Sequence, residues 1–351
     1  MYLSLIFTAS LAISSIAALP TTFPLADGFP NPNPEQLALI EKEAHGSLPN
    51  SPLPTTLGST GATVLQLIAL NELFEADYFS RLLSNVTNEV PGYEAEALLG
   101  LDRQYVIDTI TTIVNQEKLH ALGVNGILTS ANHDAIKPCT FQAPVTTFTQ
   151  AIALAATFTD IVLGALPGAQ TVFAKDGGDE SPLVALFGSV IAQEGEQAGF
   201  FRFSQKKTPS AAPFLTGVQS SFAFSALQLF IVPGSCPQPL SDIHIPTFGP
   251  LNIVAPPVAA NSSIIFSVKG PVSEQNNSIV YLSGQNLPVT VPISSVVPNG
   301  DLYQFSAEFP FDSGFSNGLT IAALVKGSQK YNGSDAVAAD TVYGPGLIEV
   351  G

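Results

Sequence analysis

Three stretches of this chain set acidic residues in the middle of an otherwise apolar helical stripe. Leu65, Ile68, Glu72, Glu75, Phe79 and Leu82 follow one another at steps of three or four residues. Val106, Ile110, Ile113, Glu117, His120 and Val124 repeat the pattern, as do Leu183, Phe187, Val190, Glu194, Gln197 and Phe201. Such spacing puts each set on one helix face, the face that packs into a bundle core. A carboxylate isolated there costs several kcal/mol unless it is paired, protonated or bound to metal. Each stripe also carries a second polar group three residues after its first Glu: Glu72/Glu75, Glu117/His120 and Glu194/Gln197. Helices that each contribute such a pair at similar depth are expected to neutralise a shared centre. Oxygen donors from Glu and a nitrogen donor from His suit iron or manganese.

Around these stripes the chain divides by texture. Residues 19–58 are rich in Pro, Asn and Ser, with one short helical stretch from Glu35 to Glu43, and read as an irregular arm. Helical patterns occupy about 61–84, 102–129, 145–166 and 182–203, within a helical region spanning 59–240. Pro167-Gly168 reads as the stop of the third, and Ser181-Pro182 as the N-cap and first residue of the fourth. From 247 to 351 the chain changes to short β-rich runs such as Ser263–Phe266, Ile279–Leu282, Tyr303–Ala307 and Leu319–Ile321, with turn dipeptides at Asn299-Gly300 and Asn332-Gly333. The expected fold class is therefore α+β: a four-helix bundle followed by a small antiparallel β-sandwich.

Composition narrows the setting. Twelve Lys and Arg against 28 Asp and Glu leave a net charge of −16, which argues against nucleic acid and against an anionic membrane surface as partners. With 46% hydrophobic residues the chain has enough apolar surface to fold. Met1 to Ala18 is uncharged and mostly apolar, with small residues at Ser15 and Ala17 before Leu19-Pro20, as in a signal peptide; a buried N-terminal helix is the other reading. No later run is expected to span a membrane. Sequons at Asn85, Asn261, Asn276 and Asn332 fit a secreted glycoprotein, extracellular or in a cell wall. Cys139 and Cys236 are the only cysteines. Export makes one disulfide the economical arrangement, worth about 4 kcal/mol in the chain-entropy picture, against two unpaired buried thiols.

Several segments resemble a known group. Asn71-Glu72-Leu73-Phe74-Glu75-Ala76-Asp77-Tyr78-Phe79, Gln116-Glu117-Lys118-Leu119-His120-Ala121, Thr157–Gly164 and Gln193–Arg202 are similar to the ferritin-like superfamily. Within it they resemble the secreted fungal proteins of late sexual development and stress response, with plant desiccation-related proteins more distant. Gly28-Phe29-Pro30-Asn31-Pro32 and Pro213-Phe214-Leu215-Thr216 add to the likeness, which covers about 25–250. The resemblance implies a di-iron or di-manganese carboxylate centre with Glu72 or Glu75, Glu117, His120 and Glu194 as ligands. Two positions depart from it. Gln197 stands where many di-metal members have His, and the third helix offers Ala155, Ala156 and Thr159, with Asp160 the nearest carboxylate.

Two functions from different classes follow. The first is a secreted ferritin-like protein of development or stress, with a degenerate metal centre. The second is a non-catalytic structural or wall-associated protein whose Glu72, Glu75, Glu117, His120, Glu194 and Gln197 form a metal-free polar network. Gly314-Phe315-Ser316-Asn317-Gly318 matches the hydrolase nucleophile elbow, but no His follows Ser316 and a β-turn is expected there. The acidic run Asp176-Gly177-Gly178-Asp179-Glu180 lacks the alternating ligands of a calcium loop and reads as a solvated turn.

Overall fold

The computed structural model describes residues 22–255, 257–313 and 317–351. The apolar run Met1 to Ala18 and the Gly314–Ser316 part of the elbow-like motif lie outside the described residues.

The arm carries helix α1 (Pro34–Glu43), started by a capping box in which Asn33 accepts from the Gln36 backbone and Gln36 answers to the Asn33 N–H. Four long helices follow: α2 (Ser59–Thr87), α3 (Arg103–Ser130), α4 (Phe148–Asp176) and α5 (Ser181–Ser204). The apolar stripes of all four enter one core. Phe158 of α4 packs edge-on against Phe74, Tyr78 and Phe79 of α2, while Phe79 stacks on Phe201 of α5. Tyr78 finds its polar partner in the Ala151 carbonyl at 2.7 Å, so its ring can be buried whole. The arm is held to this core by fully buried Phe29 and by a Lys118–Asp27 ion pair of 2.5 Å.

Two boundaries differ from expectation. α4 does not stop at Pro167 but runs through it. The ring removes one N–H, yet Leu166, Ala169 and Phe173 continue the buried face beyond it, and that burial outweighs the lost bond. At the fourth helix the N-cap is Glu180, and Ser181 is already helical. α4 is also the one helix among the described residues long and apolar enough to cross a membrane, and most of it is buried here.

After a nine-residue helix α6 (Ser220–Gln228), Cys139 and Cys236 form a disulfide that joins the segment after α3 to the segment after α6. Backbone pairing of Phe141 with Ile231 flanks it, and Phe230 stacks on Phe74 at 5.0 Å. An intramolecular disulfide is compatible with an extracellular protein.

The β-rich part contains β1 (Asn252–Ala255), β2 (Ser262–Val268), β3 (Asn277–Ser283), β4 (Val289–Asn299), β5 (Leu302–Phe309), β6 (Gly318–Lys326) and β7 (Thr341–Val350), with a short α7 (Ser334–Asp340) before the last strand. The fold is thus a mixture of helices and antiparallel strands. The strands make one continuous, barrel-like sheet in the order β1-β2-β5-β4-β3-β6-β7, where the sequence led us to expect a sandwich. β4 is the reason: Val289–Pro292 pairs with β3, and after Pro292 the same strand pairs with β5 from Ile293 to Asn299, through a bulge between Ser294 and Val297. At the edges, Gly249 just before β1 bridges Tyr343 of β7.

Helices and sheet meet across a second apolar cluster. Ile161 of α4 and Phe222 and Ala226 of α6 pack on Val280, Leu282, Ile321 and Ala323. Gly164 makes the approach close enough. The Val218 N–H bonds to its carbonyl at 3.0 Å, and a Cβ at Gly164 would overlap the Thr216 carbonyl and the Val218 side chain. Thr216 in turn donates to the Leu319 carbonyl and accepts from the Gly284 N–H.

Candidate metal centre

The three acidic stripes converge. Glu72 on α2, Glu117 and His120 on α3, and Glu194 on α5 offer ligand atoms that all lie within 4.8 Å of one another. Among the described residues this is the one group of His, Cys, Asp and Glu side chains assembled at metal-binding distance. Each carboxylate is 1% exposed or less, and His120 alone reaches solvent, with 15% of its side chain accessible.

His120 is the hub. Its Nδ1 lies 2.9 Å from Glu117 Oε2, 3.3 Å from Glu72 Oε2 and 3.9 Å from Glu194 Oε1. One N–H can serve one of these oxygens well, and geometry gives it to Glu117. Gln197 Nε2 then donates to the other Glu117 oxygen at 2.5 Å. Glu117 is satisfied on both oxygens, whereas neither oxygen of Glu194 accepts a hydrogen bond. Glu75, one turn from Glu72, is also buried, with an unpartnered Oε1, and feels the charges of Glu194, Glu117 and Glu72.

The electrostatics follow from that crowding. Burial, reinforced by Glu117, pushes the Glu72 carboxyl up to about 7 against the pull of His120. Burial first, and neighbouring carboxylates second, push Glu75 and Glu194 well above the ordinary carboxylate range. For His120 burial acts downward, but the Glu117 and Glu72 carboxylates outweigh it and raise the imidazole well above its usual value. The cluster therefore has a strong demand for positive charge, which protons or a cation can meet.

Glu72, Glu117, His120 and Glu194 come together, Gln197 is bonded to Glu117, Glu75 stands one turn along α2 from Glu72, and Asp160 does not join them. It is buried on another face of α4, beside Glu349, Arg202 and Lys207. At α4 the buried Ala155, Ala156 and Thr159 bring no carboxylate to the core. Two residues were missed. Gln193 donates to Gln116 Oε1 at 2.8 Å, bridging α5 to α3 beside the centre, and Gln116 reaches the Ala44 carbonyl at 3.4 Å. The repeated Gln-Glu dipeptide, Gln116-Glu117 and Gln193-Glu194, is the signal that could have found them.

The acidic run after α4 is more than a solvated turn. Glu180 is 3% exposed and its Oε1 takes the Gly58 N–H at 2.5 Å, capping α2 where Gly58 has no side chain to do so. Asp179 accepts from the hydroxyls of Thr55 and Thr56 at 2.8 and 3.2 Å. The run is a structural anchor for the start of α2.

The donor set fits a cation. First-row divalent ions take oxygen and nitrogen ligands at about 2.0–2.2 Å, so ligand atoms around one ion lie within about 4.4 Å of each other; a slight contraction of this cluster meets that. The orphaned Glu194 oxygens and the three-oxygen, one-nitrogen chemistry point the same way. No protein-family model matches the chain, and no curated protein matches it.

Proposed function

We propose that the four long helices form a ferritin-like bundle and that Glu72, Glu117, His120 and Glu194 hold iron or manganese within it, in a secreted protein of fungal development or stress response. The observation that carries this reading is Glu194: a buried carboxylate with both oxygens unpartnered, facing two other carboxylates and an imidazole. Such a group is costly without a cation or a proton. Bound there, the metal would supply redox chemistry toward an oxidant. The chain's own part is to fix the ligands. Gln197 holds Glu117 in place, Glu117 orients the His120 ring, and the apolar core around Phe79 and Phe201 excludes water.

A second reading has its own support. The Gln197–Glu117–His120 chain is hydrogen-bonded without any ion, and α4 brings no carboxylate, so a metal-free bundle could serve as a scaffold for an extracellular or cell-wall role. Metal analysis of the natively produced protein separates the two. Stoichiometric iron or manganese that is lost in Glu117→Ala supports the metal centre. Metal-free protein whose stability does not change on adding either ion supports the scaffold.

A further inference from the structure

A second group of ionisable side chains lies where the helices meet the sheet, apart from the Glu72–Glu194 centre. Asp160, 6% exposed, sits on α4 beside Ile161, which packs into the junction with β3 and β6. Its Oδ2 reaches the start of β6, 3.9 Å from where a Cβ on Gly318 would stand. In the next register step Leu319 pairs with Glu349 of β7. The Glu349 and Asp160 carboxyls are within hydrogen-bonding reach of each other. The charged groups facing the pair are Arg202, near the end of α5, and Lys207, just beyond it. Arg202 is itself buried, and its Nε is engaged by the Thr208 carbonyl at 2.8 Å.

Two ionised carboxylates can only accept, so a bond between them requires a proton on one. Without it Glu349 Oε1 is a buried oxygen with no donor. Burial pushes both carboxyls up, most strongly Glu349, and pushes Lys207 down, so the low-polarity surroundings favour the half-neutral pair. The same surroundings make a carboxyl–carboxylate bond strong when present and a pair of bare charges costly when it is lost.

We propose that Asp160 and Glu349 share a single proton that fastens α4 to β7, so that the helix–sheet junction is tight in acid and loosens in alkali. The pair joins residues far apart in the chain; the Thr216 bonds and the apolar cluster at this point do not titrate, and Lys207 is the one other titratable group facing it among those named above. Loss of the proton acts on this junction first.

Hydrogen exchange of the full chain, corrected for intrinsic rates, tests this between pH 5 and pH 9. Between the ordinary carboxylate range and the pair's titration in the closed junction, opening of 157–163 and 345–350 is expected to increase up to roughly tenfold per pH unit and then to level off, as linkage to one proton requires. In Glu349→Gln the amide donates to Asp160 without titrating, and that increase should vanish while the rest of the pH profile stays. If that variant does not fold, Asp160→Asn offers the same donor from the other side. A junction in the native chain with no pH-dependent opening overturns the proposal, and so does an unchanged increase in either folded variant.

Discussion

Gln197 on α5 donates its side-chain amide to Glu117 Oε1 on α3 over 2.5 Å, while His120 Nδ1 sits 2.9 Å from the other oxygen. Glu117 is thereby clamped between two helices, and the remaining carboxylates of the centre are left without comparable partners. Replacing Gln197 by Leu keeps the volume nearly constant and strands Glu117 Oε1 in the core. The expected cost is about 1–3 kcal/mol, read as a lower midpoint in urea unfolding with an unchanged slope.

Metal-stripped protein should be more stable in weak acid than in weak alkali. Glu72, at about 7 in the fold against an ordinary 4.5, and Glu75 and Glu194, also raised by burial and neighbouring carboxylates, hold protons more tightly folded than unfolded. Stability therefore falls as pH rises from about 4.5 through 7 and beyond. The raised His120 acts in the same direction, contributing fully below its usual value and losing that contribution as pH climbs through the folded one. Urea midpoints at pH 5 and pH 8 give the sign. Manganese added at pH 8 should recover the loss, because the ion takes the place of the protons.

Gly164→Ala should loosen the attachment of the 216–218 segment to α4. The added methyl meets the Thr216 carbonyl and the Val218 side chain, and a backbone oxygen cannot step aside cheaply. A penalty of about 1–3 kcal/mol is expected, measurable as a lower melting temperature. Gly168→Ala, which meets open space on the same helix, is the control and should be neutral or stabilising.

The sequons should differ in occupancy. Asn276 and Asn332 are exposed outside regular elements, and Asn261 is exposed just before β2. Asn85 is half-buried within the last turn of α2, and its side chain bonds to Tyr93. Peptide mapping of the protein from a secreting host should find glycan at Asn276 and Asn332 and none at Asn85.

The centre was legible in the sequence because a charged residue on an apolar stripe is an anomaly that burial alone cannot explain. Steps of three and four fix which side chains share a face, and so Glu72, Glu75, Glu117, His120, Glu194 and Gln197 could be named before any contact was known. Periodicity says nothing about which strand lies beside which, and the passage of β4 from β3 to β5 at Pro292 was invisible for that reason. Pro167 misled in another way: a local stop signal was overruled by the apolar face that continues to Phe173. Asp160 had no stripe to mark it, since its partner Glu349 comes from the far end of the chain.

The Cys139–Cys236 bond encloses α4, α5 and α6 in a covalent ring while α2 and α3 remain outside it. The 206–214 stretch, exposed at 206, 208–210 and 213–214, lies inside that ring. A peptidase that nicks the chain there leaves both fragments tethered, so the cut protein would migrate as one species until a reductant is added, and the strands that follow the cut would stay joined to the helices that carry Glu72, His120 and Glu194.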